Sequence, residues 1–407
     1  MDKGKTILIL GAGIYQVPLI CEAQRRGMRA VIASIPGNYP GFSVADKAYY
    51  TDTTDTDGVL RIARDEHIDA IVTTGTDVAV STIGTVCRVL GLPGIGEEAA
   101  RILTDKALMK AAFRRGGVTT AEFETVRSYD EAVAAAGRIG LPVMLKIVDK
   151  SGSRGITKIT DLSQLRAAYD YALAFTRADH MVVEKFIEGR EIGIDAFVQN
   201  GKLLMLLPHE KYVYFSGKTG IPIGHYCPME ASDRLYENML SETEKVIRAT
   251  GMDNCAVNID AFVLPDERVN IIEAAGRCGA TGIPEVITGY TGRNYYSCIL
   301  DNALGIPVEP FDTRSGRPTA SLLLYSRQTG FLREVRYRFA GRDYCNENAD
   351  VPERGRVELS FGPGDDIDAF QNGTDRIGQA VFYARTNEAL QTAVEDFRRS
   401  LTVTVDA

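Results

Sequence analysis

Two strand-like segments around a short turn predict a β-hairpin in the second half of the chain. The segments are Val257–Leu264 and Val269–Ala275, both rich in apolar and β-branched residues, with Pro and Asp in the turn between them. Pairing the residues that flank the turn places Asp260 directly opposite Glu273. Like charges at opposed positions destabilise a sheet. A Mg²⁺ ion carrying phosphate oxygens would compensate them; the alternative is a solvated acidic pair on an exposed face.

The composition argues against several classes of protein. The 407 residues, 45% hydrophobic and 25% charged, are typical of a globular protein with two or three domains. A formal net charge of -8 argues against a general nucleic-acid or membrane-surface binder. Seven scattered cysteines without a CxxC pair and four histidines disfavour a zinc site, and free thiols suit a reducing compartment. Because the sequence has no apolar signal core and no long apolar run, we expect a cytoplasmic protein without a membrane partner.

The order of strand and helix patterns predicts three domains. Residues 5–95 alternate between the two patterns, which predicts a parallel sheet with helices on both faces. From about residue 96 to 306 the pattern is that of a mostly antiparallel α+β domain. From about residue 307 short strands precede a final helix, Asn387–Ser400, and predict a small α+β C-terminal lid domain.

The turn Gly11-Ala12-Gly13 after the first predicted strand is a partial dinucleotide-binding motif. The G-x-G-x-x-G pattern requires a third glycine where this chain has Gln16, and no acidic residue ends the second predicted strand. A tight strand-to-helix turn without a cofactor is therefore favoured. An NAD-dependent oxidoreductase is the alternative, and it rests on these glycines alone.

Two lysines and a glycine-rich loop predict a site for phosphates. Lys146 lies in an apolar strand, where a cation needs an anionic partner or a route to solvent. Lys106 lies in the first turn of a helix, where a cation opposes the macrodipole unless an anion binds there. The loop Ser151-Gly152-Ser153-Arg154-Gly155 joins two predicted strands and offers hydroxyl and N–H donors. Surface lysines and a flexible hairpin loop are the alternative.

Three further elements are candidates for ligand contacts. Glu184, Lys185 and Ile187 end an apolar strand that is a candidate edge for pairing with a purine base, and Glu191 is a candidate for ribose hydroxyls. An ordinary charged strand end is the alternative for this segment. Arg277 follows the predicted hairpin between glycines, where a guanidinium binds a phosphoryl group or a carboxylate in bidentate fashion.

His225 is one of four histidines and has no partner motif in the sequence. A structural role is favoured for it, with a place in a substrate pocket as the alternative.

The ordered set of these motifs resembles the ATP-grasp superfamily, and within it the carboxylate–amine ligases of the L-amino-acid ligase type with carbamoyl-phosphate-synthase-like architecture. The resemblance covers about residues 5–305. It implies an α/β pre-ATP-grasp domain that is Rossmann-like but binds no NAD (1–95), an α+β ATP-grasp domain (96–306) and a small α+β C-terminal lid domain (307–407).

The resemblance also implies the roles of individual residues. ATP contacts are implied for Lys106, Lys146, Ser151, Gly152, Ser153, Arg154, Gly155, Glu184, Lys185, Ile187 and Glu191. Asp260 and Glu273 would hold Mg²⁺ or Mn²⁺, with two ions expected. Arg277 and Lys146 would act on the transferred phosphoryl group. Substrate contacts are implied for His225, Arg277 and Gly279.

The implied reaction phosphorylates a small carboxylate with ATP and couples the acyl phosphate to an amine. A bicarbonate-using enzyme and a non-catalytic nucleotide-binding protein are the alternatives, and a homodimer is left open. One position departs from the family pattern: many members have Asn two residues after the metal-binding Glu, where this chain has Ala275. Our hypothesis is that Asn258, predicted to lie opposite Ala275, or a water fills the vacant coordination position.

Overall fold

The computed structural model describes residues 3–149, 155–215 and 220–406. The described chain forms two compact units. The first contains Met1–Leu206, Ala231–Cys278 and Ile299–Glu309, and the second contains Leu207–Glu230, Gly279–Cys298 and Pro310–Ala407. Residues 1–95 and most of 96–306 thus share one unit. The three-domain division therefore stays a prediction.

The N-terminal part of the first unit is a parallel α/β layer. Its strands are β1 (Thr6–Leu10), β2 (Arg29–Ser34), β3 (Lys47–Tyr50) and β4 (Ala70–Val72), and its helices are α1 (Val17–Arg25), α2 (Gly41–Val44), α3 (Thr56–Asp65), α4 (Val80–Leu90) and α5 (Glu97–Leu103). The strands pair in parallel in the order β3-β2-β1-β4. The predicted parallel pairing is confirmed. Because helices cover such strands, β1 is apolar and buried after its first residue, Thr6.

A four-stranded antiparallel sheet follows in the same unit. The elements are α6 (Lys106–Arg115), β5 (Phe123–Val126), α7 (Tyr129–Ile139), β6 (Val143–Ile147), β7 (Ile156–Ile159), a 3-10 turn (Leu162–Gln164), α8 (Leu165–Leu173) and β8 (Met181–Lys185). The sheet order is β5-β8-β6-β7. The prediction that β8 offers an edge to a base is wrong for the strand itself, since β5 and β6 pair with both of its sides. The sequence pattern within β8 does not show which other strands pair with it.

The remainder of the chain contributes to both units. Its elements are β9 (Arg190–Gln199), β10 (Lys202–Phe215), β11 (Gly220–Cys227), α9 (Asp233–Thr250), β12 (Cys255–Val263), β13 (Val269–Ala275), α10 (Ile283–Thr291), α11 (Tyr295–Ala303), β14 (Thr319–Tyr325), β15 (Gly330–Phe339), β16 (Arg342–Cys345), β17 (Ala349–Val351), β18 (Gly355–Leu359), β19 (Asp366–Ile367), β20 (Arg376–Tyr383), α12 (Asn387–Ser400) and β21 (Thr402–Asp406). In the second unit, β11, β14, β20, β18 and β17 are successive neighbours, and β15 pairs with β16, β19 and β21. Aromatic and aliphatic side chains of these strands and α12 form that unit's core. Within the described ranges, every helix is too short or too polar to span a bilayer.

The predicted hairpin is β12 and β13, and its pairing near the acidic residues is confirmed. Asp260 lies opposite Glu273, and Asn258 lies opposite Ala275. The predicted pairing next to the turn is wrong by one residue, because Val263 and not Leu264 faces Val269. A bulge beside Asp260, with Ile272 as the extra residue, restores the predicted pairing further along. Bulges bend a strand and re-aim its side chains, and they are frequent next to functional sites.

Two helix-internal glycines provide a test of the packing in the first unit. Gly84 of α4 is buried, and a Cβ there would lie 2.7 Å from the Cβ of Ala100 and 3.0 Å from the Cα of Glu97 on α5. Gly137 of α7 is exposed with open space around it. We expect Gly137→Ala to raise the free energy of unfolding by up to about 1 kcal/mol through helix propensity. Gly84→Ala should lower it by about 1–3 kcal/mol, because α4 and α5 must separate. Urea unfolding of both variants measures the difference, and equal effects would contradict this packing.

Candidate nucleotide and metal site

One cavity of the first unit collects four of the charged residues singled out in the sequence. It has a volume of about 610 Å³, counting solvent at its mouth, and Lys106, Asp260, Glu273 and Arg277 line it. These side chains come from the start of α6, from the β12–β13 hairpin and from the segment after β13. Lys146 is not among the described residues that line the cavity. The cavity therefore brings together the two carboxylates predicted to bind a metal ion, one of the two lysines predicted to contact phosphates, and the arginine.

Lys106 and Glu273 form an ion pair inside this cavity. Asp105 caps α6 by accepting hydrogen bonds from the backbone N–H groups of Ala107 and Leu108, and this places Lys106 in the first helical turn as predicted. The Lys106 Nζ lies 3.2 Å from the Glu273 Oε2. The positive charge of Lys106, aided by Lys146 and Arg277, lowers the pKa of Glu273 to about 2 although burial opposes the shift. Glu273 is therefore an ionised carboxylate at neutral pH.

Asp260 and Glu273 fit a site for a divalent cation. They lie opposite each other on adjacent strands, and both line the cavity. No group of three or more potential metal-binding His, Cys, Asp or Glu side chains occurs in the described part of the chain. Mg²⁺ is commonly held by one or two carboxylates together with waters and substrate phosphates. The pair therefore suits an ion that arrives with a nucleotide, and the number of ions stays a prediction.

Lys146 lies in a second, buried charge cluster that the sequence predicted only in part. Its Nζ forms a short ion pair with one carboxylate oxygen of Glu184. The other oxygen lies 3.0 Å from the Nζ of Lys110, which donates a hydrogen bond of 2.6 Å to the Thr120 hydroxyl. Burial raises the pKa of Glu184, but the charges of Lys146 and Lys110 outweigh it and the pKa is lowered. Sequence reasoning missed Lys110, although a lysine four residues after Lys106, on an apolar helix face, was a usable signal.

Arg277 is held by partners from three segments of the first unit. Its Nη2 lies 2.6 Å from an oxygen of Asp77, and its Nη1 donates to the Asn258 Oδ1 at 3.1 Å and to the Cys278 carbonyl at 3.0 Å. Asp77, which the sequence analysis missed, follows β4 and lies beyond the carboxyl end of a parallel strand. That is where ligands bind in open α/β sheets, and the position was the available signal.

The hypothesis that Asn258 fills a metal-coordination position conflicts with its contacts. The Asn258 Nδ2 donates to the buried carboxylate of Asp195 at 3.0 Å, while the Oδ1 accepts from Arg277. Because a carboxylate only accepts and a guanidinium only donates, the two neighbours fix the orientation of the amide. The amide oxygen that a metal ion would need already accepts from Arg277, and the positive guanidinium disfavours a second cation beside it.

The other residues predicted to contact ATP lie at the end of β8, after it, on β9 and in the glycine-rich loop. The Lys185 Nζ donates to the carbonyls of Gly140 and Leu141 at 2.8 and 3.2 Å. Ile187 is half-buried after β8, and Glu191 is exposed on β9. Of the predicted glycine-rich loop, Gly155 is described, with a φ of +62°, and Ser151, Gly152, Ser153 and Arg154 lie outside the described residues. Their ATP contacts stay predictions.

The substrate candidates His225 and Gly279 belong to the second unit. His225 is buried on β11, and its ring packs edge-on against His209 with 4.8 Å between ring centroids. Burial lowers the pKa of His225 well below its usual range, so the ring is neutral. This placement agrees with the favoured structural role, and substrate contacts of His225 and Gly279 stay predictions.

The glycine turn after β1 is filled by the protein itself. A Cβ at Gly11 would lie 2.9 Å from the Cδ of Gln16, and Gln16 also donates a short hydrogen bond to the Thr74 carbonyl. The buried Gln16 side chain thus covers the face of Gly11 that a dinucleotide would approach. This packing accounts for the glycine and favours the tight turn over NAD binding.

Comparison with known families and proteins gives a consistent group of relatives. Residues 139–285 match the ATP-grasp domain family. The chain is 27% identical over 338 residues to a formate-dependent phosphoribosylglycinamide formyltransferase of Rhodococcus jostii (strain RHA1), which covers 78% of this chain and 79% of that protein. It is 24% identical over 252 residues to an alanine–anticapsin ligase of Bacillus subtilis, over 56% of this chain and 52% of the ligase. The alignment thus spans about half of that ligase.

Solved structures share the fold over the whole chain. A phosphoribosylglycinamide synthetase from Anaerococcus prevotii superposes with a TM-score of 0.80 and 29% identity, covering 99% of this chain and 100% of that one. An L-amino acid ligase from Bacillus licheniformis gives a TM-score of 0.79 at 17% identity, with complete coverage of both chains. The fold is therefore the ATP-grasp fold with mixed α and β content.

The low pKa of Glu273 predicts that the free energy of unfolding depends on pH, and that Lys106 determines how steeply. In the unfolded chain Glu273 protonates near pH 4.5, whereas in the folded protein it stays ionised to about pH 2. The stability contributed by its ionised form is present above pH 4.5 and is lost as pH falls toward 2. Since Lys106→Met removes the main cause, the free energy of unfolding should fall less steeply in this window than in the wild type. Urea unfolding at several pH values measures the slopes.

The matched control for this experiment is the same substitution in a Glu273→Gln background. There Lys106→Met should leave the pH slope unchanged, because no carboxyl remains at position 273 to titrate. Equal slopes for the wild type and Lys106→Met would show that the ion pair does not set the pKa of Glu273.

Proposed function

We propose, from the ATP-grasp domain that this chain contains, that the protein is an ATP-dependent ligase that joins a small carboxylic acid to an amine. ATP would phosphorylate the carboxylate, the amine would attack the acyl phosphate, and ADP and phosphate would be released. The observation that carries the proposal is the single cavity that holds Lys106, Asp260, Glu273 and Arg277. Such chemistry needs positioned charges and no side-chain nucleophile.

The residues of the cavity have distinct tasks in this reaction. Lys106 binds a phosphate through its ammonium group, because the first N–H groups of α6 already donate to Asp105 and Val148. Arg277 binds the transferred phosphoryl group or the carboxylate that receives it, since its planar group makes two parallel hydrogen bonds. Asp260 and Glu273 would hold Mg²⁺, which neutralises charge on the phosphate oxygens when bound. Bringing the reactants together in one site supplies much of the acceleration.

The relatives support the class of substrate. The Rhodococcus jostii protein is named for formate and a formyl transfer, and the Bacillus subtilis ligase is named for alanine. Both names include a small carboxylic acid, which agrees with phosphorylation of a carboxylate here. We further propose that residues 1–95 form the pre-ATP-grasp domain, 96–306 the ATP-grasp domain and 307–407 a C-terminal lid domain. A homodimer and a cytoplasmic location also remain proposals.

A screen for phosphate release tests the proposed function. The protein with Mg-ATP is incubated with pairs of carboxylic acids and amines, including amino acids and bicarbonate, and products are identified by mass spectrometry. We expect phosphate and an amide product with at least one pair. Glu273→Gln should abolish turnover, while Asp266→Asn, which removes an exposed carboxylate in the turn of the same hairpin, should retain it. Turnover by Glu273→Gln at the wild-type rate would exclude Glu273 from the site.

A second experiment separates metal binding from arginine positioning at Asn258. We expect Asn258→Ala to leave the Mg²⁺ concentration for half-maximal activity unchanged, because the amide oxygen contacts Arg277. The kcat should fall, by as much as about 100-fold, because small displacements of a positioned group cost rate. Steady-state kinetics over a range of Mg²⁺ concentrations distinguishes the two. A large increase in the Mg²⁺ requirement with unchanged kcat would restore Asn258 as a metal ligand.

A further inference from the structure

A buried carboxylate shared by two lysines is a feature that the proposed reaction does not by itself explain. Glu184 of β8 lies opposite Met144 of β6, so that Lys146, two residues further along β6, is on the same face of the sheet. Lys110 approaches the other oxygen of Glu184 from α6, one turn after Lys106. The Lys110 and Glu184 side chains are only 3% and 6% exposed. The three groups therefore interact away from bulk water, where each charge needs a partner.

Lys110 itself is enclosed and is not placed to touch a ligand. Its ammonium contacts Glu184 and the Thr120 hydroxyl, and that hydroxyl donates to the Ile271 carbonyl of β13 at 2.7 Å. Neither Lys110 nor Lys146 is among the described residues that line the cavity, but the Lys146 side chain is 10% exposed and that of Lys110 only 3%. The contacts of Lys110 instead join α6 to β8 and, through Thr120, to the strand that carries Glu273.

The charge balance of the cluster depends on Lys110. With Lys146 alone, Glu184 would form a neutral pair, and Lys146 could reach a phosphate only by leaving a buried carboxylate without a counter-ion. Breaking a buried pair in this way is strongly unfavourable. With Lys110 present, Glu184 keeps one counter-ion when Lys146 moves. The cluster then carries one net positive charge, which an anionic ligand can use.

We propose that Lys110 is a positioning residue that holds the charge of Glu184, so that Lys146 can exchange this carboxylate for a phosphate of the nucleotide. The inference rests on the proposed function, because it takes a nucleoside di- or triphosphate as the ligand. Lys110 acts through Lys146 and does not contact the nucleotide. Its removal should therefore weaken phosphate contacts and leave contacts to the base unchanged.

Nucleotide binding to four proteins tests this role: the wild type, Lys110→Met, Glu184→Gln and the double variant. We expect Lys110→Met to raise the Kd for Mg-ADP, measured by isothermal titration calorimetry, by about tenfold or more, which corresponds to about 1.4 kcal/mol. Glu184→Gln added to Lys110→Met should bring the Kd back to that of Glu184→Gln alone, because no buried charge remains to be compensated. Lys110→Arg, which keeps the charge, should recover part of the affinity.

The affinity for adenosine, measured by competition, distinguishes a positioning role of Lys110 from a general loss of structure. This affinity should be the same in the wild type and Lys110→Met, whereas a damaged site would weaken adenosine and Mg-ADP alike. If Lys110→Met does not fold, the double variant, which has no uncompensated charge, is compared with Glu184→Gln, and equal Kd values support the role. Binding of Mg-ADP to Lys110→Met as tightly as to the wild type overturns the inference and leaves the proposed function intact. Failure of the wild type to bind Mg-ADP overturns the proposed function itself.

Discussion

The ion pair between Lys106 and Glu273 connects the two parts of the cavity on which the site depends. Lys106 lies in the first turn of α6, where a cation opposes the helix macrodipole, and Glu273 lies opposite another carboxylate on a neighbouring strand. Each position is unfavourable alone. At a separation of 3.2 Å the ammonium offsets both problems, since it reduces the repulsion between Asp260 and Glu273 and finds an anion at the helix start. The acidic hairpin is thus compensated before any metal ion binds.

The same principle extends to the other cations singled out for phosphate contacts. Arg277 is paired with Asp77, and Lys146 is paired with Glu184. Leaving such charges unpaired in a largely buried site would cost several kcal/mol each, on the order of 3–5. In the proposed site, binding an anionic ligand would therefore be an exchange of partners. A ligand with several negative charges replaces several carboxylates at once, and a singly charged anion gains much less from the same site.

Site residues could be predicted from the sequence where a charged residue occupies an unusual position in a recognisable strand or helix. A lysine within the apolar β6 and a lysine at the start of α6 were both recognisable. The pairing of Asp260 with Glu273 was predicted from a pairing next to the turn that is wrong by one residue, and the bulge restores it. The bulge beside Asp260 was not predicted, because consecutive apolar residues such as Ile271 and Ile272 also occur in regular buried strands. Lys110 and Asp77 were missed because their roles depend on partners 74 and 200 residues away. The internal position of β8 was missed for the same reason, as neighbours in a sheet are set by tertiary packing.

This chain has Ala275 at the position where the sequence pattern of the resembled family often has Asn, and this difference limits the side chains that can hold a metal ion. An amide has one accepting and one donating end, and at Asn258 these serve Arg277 and Asp195. Coordination by Asn258 would place the metal ion against the positively charged Arg277, and Ala275 offers no side-chain ligand. In the proposed site the protein would thus contribute two carboxylates on adjacent strands, while Mg²⁺ prefers six oxygen ligands. The missing ligands must be waters and phosphate oxygens. In the proposed site, therefore, the nucleotide would set much of the affinity for the metal, and the hairpin would bind the metal–nucleotide complex in preference to the free ion.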